Sequence, residues 1–245
     1  MIPLARTTIP AVTAAQMREV DRLMIEAYHI DLIQMMEHAG RNLARVARER
    51  FLSGNPLGKR VVVLVGKGGN GGGALVAGRW LANAGADVVA VIAADRDKFA
   101  PVPAHQLLIL ERIGVPILTL DAPELSVPAS LIVDGVLGYS LAGAPRGRAA
   151  DMIRWANAAG SPILALDVPS GLDATTGEVE DPTIHANATL TLALPKSGLL
   201  ADSARSVVGT LYVANISVPP ALYAEPSLGI HIGPVFAQSD VVQLW

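Results

Sequence analysis

The stretch Val61-Val62-Val63-Leu64-Val65-Gly66-Lys67-Gly68-Gly69-Asn70-Gly71-Gly72-Gly73 decides the fold. Its first five residues are all apolar, with no polar residue in between. A strand covered on both faces reads this way, because neither side of it meets water. Six glycines follow within eight residues, and a helix is expected over residues 73–84, with Gly85 placed to cap its end. Strand, glycine turn and helix are the setting in which Gly66-x-Gly68-x-x-Gly71 fits the dinucleotide fingerprint. Glycine reaches positive φ and lets the backbone come close to a ligand. The free amides and the helix N-terminus then attract a phosphate. A tight turn that only needs flexibility is the alternative; the density of glycine around Asn70 favours phosphate binding.

Downstream the same alternation repeats. Strands are expected at 87–93, 116–120, 131–134, 162–166, 190–194 and 211–215, with helices over 104–113 and 149–159. Upstream, residues 13–50 read as two helices. Thr13 and Gln16 have capping-box spacing, Met17, Val20, Met24 and Ala27 recur at helical period, and a second stripe runs through Met36, Ala39, Leu43 and Val46. Apolar strands alternating with helices predict an α/β fold, a three-layer αβα sandwich around a mostly parallel, Rossmann-like sheet. One domain is expected over 1–245, with N-terminal helices in 1–55, the core in 60–217 and a tail, 218–245, wrapping the surface.

Composition narrows the function classes. Hydrophobic residues make up 51% of the 245, charged residues 17% and aromatics 4%, and the net charge is -3. No basic block or aromatic platform offers itself to nucleic acid. No apolar run approaches the roughly 18 residues of a membrane span, so the mean hydropathy of +0.41 reflects a buried sheet. The proline-broken start lacks the apolar core of a signal peptide, and the absence of cysteine fits a reducing compartment. A cytoplasmic protein that binds neither membrane nor nucleic acid is expected. The five histidines, at 29, 38, 105, 185 and 231, show no metal-ligand spacing.

Ligands of open parallel sheets bind beyond the carboxyl ends of the strands, so the residues after each strand are the candidates. Asp134 ends the fourth strand and serves either as a loop cap or as a ligand to a cation or hydroxyl. The glycine-rich loop 138–147 after it is small enough to close over a ligand. The fifth strand runs into Asp167-Val168-Pro169-Ser170-Gly171-Leu172-Asp173, where the turn aims Asp167 and Ser170 at the cleft. A local Asx-type turn explains Asp173 well and Asp167 less well. Lys196, after the sixth strand, is placed to meet a phosphate or the carboxylates and is counted with the nucleotide-binding residues; a solvated loop lysine is the alternative. Ser170 lacks the G-x-S-x-G elbow of a hydrolase.

Taken together, MMEHAGRNLA at 35–44, GKGGNGGG at 66–73, VDGVLG at 133–138, LDVPSGLDATTG at 166–177 and LTLALPKSGL at 190–199 resemble the YjeF N-terminal family, the NAD(P)H-hydrate epimerases. The order and spacing of these blocks carry the resemblance over nearly the whole chain. It implies an isomerase, commonly a homodimer, that interconverts the R and S epimers of hydrated NADH or NADPH, a substrate and not a cofactor. Repair is then completed by an NAD(P)H-hydrate dehydratase, separate or fused. The final SDVVQLW is similar to the junction that leads into such a dehydratase domain. The resemblance further implies a potassium ion held by Asn70, Asp134 and Ser170. Nucleotide contacts are implied at Gly69, Asn70, Gly71, Gly72 and Gly73, at Gly138, Tyr139, Ser140, Leu141, Ala142, Gly143 and Ala144, and at Asp167, which is also the implied catalytic acid/base.

Gly69 and Gly73 stand where the family usually carries an asparagine and an aspartate, and Lys67 where it often has proline. A non-catalytic nucleotide-binding or interaction module of the same fold is therefore a second reading. A third is an NAD(P)-dependent dehydrogenase, in which Asp95, just past the second strand, binds a ribose hydroxyl.

Overall fold

The first strand, β1 (Arg60–Val65), lies inside the sheet and is buried from Val61 onward. Its flanking partners are β2 (Asp87–Ile92) and β4 (Leu131–Gly135), both parallel to it. Beyond them the computed structural model, which describes residues 1–245, adds β3 (Ile117–Leu118), β5 (Ile163–Leu166), β6 (Ala188–Leu192) and β7 (Thr210–Ala214). An eighth strand, β8 (Val241–Gln243), closes one edge antiparallel to β7. The order is β3-β2-β1-β4-β5-β6-β7-β8. The chain thus starts in the middle of the sheet, builds outward through β2 and β3, then returns to the other side of β1 with β4. A crevice opens at the point where the direction reverses, between β1 and β4.

The pleat sends alternate residues to opposite faces. Val61, Val63 and Val65 pack with α2 (Leu32–Val46), α3 (Gly69–Asn83) and α4 (Pro101–Arg112), whereas Val62 and Leu64 pack with α5 (Gly147–Ala158). Three layers result. The first helix, α1 (Ala14–Glu26), begins with the capping box its sequence announced: Thr13 Oγ1 accepts from Gln16 N, and the Gln16 side chain accepts from Thr13 N. Its buried stripe, Met17, Val20, Leu23 and Met24, joins Val213 and Val242 at the far end of the sheet, together with Leu222 and Tyr223 of the short α7 (Pro220–Tyr223). Another short helix, α6 (Arg205–Val208), precedes β7.

Two close approaches demand glycine. A Cβ on Gly40 of α2 would stand 2.4 Å from Val76 Cβ of α3, so the two helices cross nearly backbone to backbone. A Cβ on Gly71 would stand 1.8 Å from the carbonyl oxygen of Gly66, so only glycine lets α3 press back onto the end of β1.

β3 is shorter than the expected 116–120, β6 lies two residues before the expected 190–194, and three further features differ from the sequence-based expectation. Helix α3 begins at Gly69 and not at 73, so most of the glycine run is the helix's first turn. Helix propensity penalises glycine, but here the burial of Gly71, Gly72 and Gly73 against their neighbours outweighs it. Helix α4 begins at Pro101, before the expected 104, because proline is tolerated in a first turn, where its missing N–H costs nothing. The tail does more than cover the surface: Val241 and Val242 are buried in the sheet edge.

Candidate active site

A cavity of about 680 Å³ opens at the carboxyl ends of the strands, along the switch point. Its inner end is built by the turns after β5 and β6. Asp167, the first residue past β5, is held at φ 68°. A non-glycine residue there costs on the order of 1 kcal/mol or more, a strain that accumulates at functional sites. Ala193, just past β6, has the same hand at φ 63°. The two bends turn Asp167 and Lys196 toward each other. Lys196 Nζ donates to Asp167 Oδ1 and to Leu192 O at 2.8 Å, and the lysine is wholly buried. Leu192 N donates to the same Asp167 Oδ1 at 3.3 Å and Thr191 Oγ1 at 3.4 Å. All these donors fall on Oδ1, and none on Oδ2. The carboxylate is fixed through one oxygen while the other is left without a protein donor, in a residue that lines the cavity. The N-terminal segment holds the lysine loop in place: Val12 pairs with its two sides through Pro195 O and Ser197 N, each at 2.9 Å.

Beside this pair stands a second, in which Tyr139, an expected nucleotide contact, meets Asp21, which the sequence reading missed. Tyr139 Oη donates to Asp21 Oδ2 at 2.5 Å, and Lys196 Nζ lies 5.8 Å from the Tyr139 ring centroid. Burial pushes the Asp21 carboxyl above its ordinary range, and burial beside Asp21 pushes the Tyr139 hydroxyl up as well. Asp21 had a signal: it follows Met17 by four residues and so places a carboxylate on the apolar stripe of α1.

Asp134 is fully buried at the end of β4. Its Oδ1 accepts from Ser170 Oγ at 2.7 Å and Val136 N at 3.1 Å, and its Oδ2 from Ser170 N at 2.8 Å. Burial raises its carboxyl to about 6, against the pull of those donors. Asn70 reaches the same corner, donating through Nδ2 to Leu137 O at 2.8 Å, and Leu137 N donates to Ser170 Oγ at 2.8 Å. The three residues expected to hold a cation therefore converge on one strand-end loop. They are hard oxygen donors around a buried carboxylate that has no cationic side chain as partner. Such a set fits a potassium ion, whose charge would offset that of Asp134.

Of the remaining expected nucleotide contacts, Gly69, Gly73, Gly138, Tyr139 and Ser140 line the cavity. Gly71 and Gly72 are packed beneath it, Gly72 against Met36, and Leu141, Ala142, Gly143 and Ala144 lie farther along the same loop. Asp173 is a turn residue, its Oδ1 accepting from Thr175 N and Thr176 N at 2.8 and 2.7 Å. Asp95, offered for a ribose hydroxyl, is engaged by Arg148 Nη1 at 2.7 Å. Lys67, Arg146 and Arg148 line the outer end of the cavity and were not singled out as site residues from the sequence.

Comparison with known proteins gives a consistent picture. Residues 32–198 match the family described as YjeF-related protein N-terminus. An NAD(P)H-hydrate epimerase of Dehalogenimonas lykanthroporepellens is 43% identical over 94% of this chain and 91% of its own length. A bifunctional NAD(P)H-hydrate repair enzyme Nnr of Moorella thermoacetica is 37% identical over 87% of this chain but only 41% of its own length. Among solved structures, the yeast protein ynu0 superposes with a TM-score of 0.82 at 26% identity, covering 96% of this chain and all of that one.

Proposed function

We propose, from the premise that this chain belongs to the YjeF-related N-terminus family, that it is an NAD(P)H-hydrate epimerase. The observation that carries the reading is Asp167: strained into place, anchored through Oδ1 and open to the cavity through Oδ2. The carbon to be inverted bears a hydroxyl beside the ring nitrogen. One route protonates that hydroxyl so that water leaves and the nitrogen lone pair closes a C=N⁺ bond; water then re-adds on the opposite face and returns the proton. The other opens the ring to an aldehyde and recloses it. Either route needs one positioned group that gives and takes a proton, and Asp167 Oδ2 supplies it.

Lys196 holds that carboxylate in register and balances its charge. The first turn of α3, whose Gly69, Asn70 and Gly73 line the cavity, suits the substrate's pyrophosphate. Asn70, Asp134 and Ser170 would hold a potassium ion, which orients the loops beneath the nucleotide and compensates the buried carboxylate. A homodimer in the cytoplasm, working with a separate or fused NAD(P)H-hydrate dehydratase, completes the proposal; several relatives are named bifunctional NAD(P)H-hydrate repair enzymes. No helix is long and apolar enough to cross a membrane.

Gly69 and Gly73 motivate a second reading, nucleotide binding without turnover. A Cβ on Gly69 meets nothing within 4 Å, so packing does not dictate that glycine, whereas one on Gly73 would stand 2.8 Å from the side chain of the buried Leu166 and 3.8 Å from Ala39 Cβ. The test is to supply the isolated R epimer of hydrated NADH with potassium present and follow both epimers by chromatography. Conversion above the protein-free rate supports the epimerase; conversion equal to it, with the nucleotide bound, supports the binding module.

A further inference from the structure

The outer end of the cavity bears a charge pattern that epimerisation itself does not require. Here the end of β2 faces the first residues of α5. Lys67, Arg146 and Arg148 line this end, and all three are exposed. Arg148 is paired with Asp95 at 2.7 Å; Lys67 and Arg146 have no acidic partner. Asp121 is the other carboxylate felt by Arg148, more weakly than Asp95. Cations therefore outnumber carboxylates on this rim, in a chain whose net charge is -3.

The strand order says which part of a dinucleotide lies there. In a sheet of order β3-β2-β1-β4-β5, a dinucleotide crosses the switch point with one nucleoside over each half. The groups suited to the reacting ring, Asp167 and Lys196, follow β5 and β6, so the adenosine half falls over the end of β2. In sheets of this kind an acidic residue after the second strand marks a ribose with a free 2′-hydroxyl, and an arginine marks one carrying a 2′-phosphate. In this chain the acidic residue, Asp95, is paired with Arg148, and the charged side chains that line this end of the cavity, Lys67, Arg146 and Arg148, are all cationic.

We infer that Lys67, Arg146 and Arg148 form a subsite for the 2′-phosphate of the adenosine ribose, so that this chain prefers the NADPH-derived hydrate to the NADH-derived one. Arginine suits this role because its planar fork takes two phosphate oxygens at once. The inference rests on the epimerase reading only for the identity of the whole substrate; the phosphate subsite itself requires just a dinucleotide lying across the switch point.

The test uses fragments that lack the reacting ring, so its outcome does not depend on catalysis. Titration calorimetry of the intact protein with adenosine 2′,5′-bisphosphate and with adenosine 5′-monophosphate compares the two ribose states. The bisphosphate is expected to bind at least about tenfold more tightly. Arg146→Ala is expected to narrow that ratio severalfold by weakening the bisphosphate, and Arg148→Ala to narrow it from both sides, since it also frees Asp95 for the 2′-hydroxyl of the monophosphate; both side chains are exposed. Raising salt is expected to narrow it too. Equal affinity for the two fragments, or a ratio that survives both substitutions, overturns the subsite. If the subsite holds but the hydrates are not epimerised, the ratio remains while turnover is absent, which separates failure of the epimerase reading from failure of this one.

Discussion

Replacing Lys196 by methionine keeps most of the side-chain volume and deletes the charge. The side chains of Lys196 and Asp167 are 1% and 5% exposed, so solvent screens the pair hardly at all. Methionine leaves the Asp167 carboxylate buried with only the 3.3 Å and 3.4 Å contacts from Leu192 N and Thr191 Oγ1, and it removes the donor to Leu192 O. Breaking a buried pair from one side costs about 3–5 kcal/mol. In a chain of this size each kcal/mol moves Tm by about 2–4 °C, so Tm should fall by about 6–20 °C. Calorimetry of the wild type, Lys196→Met, Asp167→Asn and the double variant closes a thermodynamic cycle. The double variant is expected to recover a large part of the loss, since it leaves no unpaired charge. A Lys196→Met protein within about 1 kcal/mol of wild type, or losses that simply add, would refute a tightly coupled pair.

Three further outcomes follow from the same structure. Gly71→Ala drives a Cβ into the Gly66 carbonyl and is expected to cost at least about 1–3 kcal/mol in denaturant unfolding, whereas Gly69→Ala, with open space around it, should be neutral or gain up to about 1 kcal/mol; equal midpoints for the two would contradict the packing. Asp21 is raised by burial, so its contribution to stability is present below the ordinary carboxylate pKa of 3.8 and is lost as pH rises through the folded value. Asp21→Asn should flatten that part of the stability profile, and an unchanged slope would count against it. Exchanging potassium for tetramethylammonium should lower Tm in the wild type but not in Asp134→Ala; a shift shared by both proteins would place the cation elsewhere.

The sequence made the sheet legible because continuous apolar runs such as Val61–Val65 leave little alternative to a doubly covered strand. The strand ends were legible for the same reason: once the strands are placed, Asp134, Asp167 and Lys196 must lie at the carboxyl edge. Less visible was what each would touch. Lys196 offered itself equally to phosphate, carboxylate or solvent, and only the two positive-φ bends at Asp167 and Ala193 resolve it toward Asp167. Helix α3 was read as starting late because local propensity argues against glycine, while the reason those glycines are helical is tertiary contact. Asp21 and the outer basic rim come from segments distant in sequence, where composition gives little warning.

Whether Asp167 moves the proton in an epimerisation is decided by the initial rate of R-to-S conversion of the hydrated nucleotide at saturating substrate. Wild type and Asp167→Asn would be measured side by side, against a protein-free control and with folding of both checked. Positioned proton transfer contributes about 10²–10⁴-fold, so the variant should fall at least about a hundredfold below a wild type that clearly exceeds the control. A variant as fast as the wild type would contradict the account.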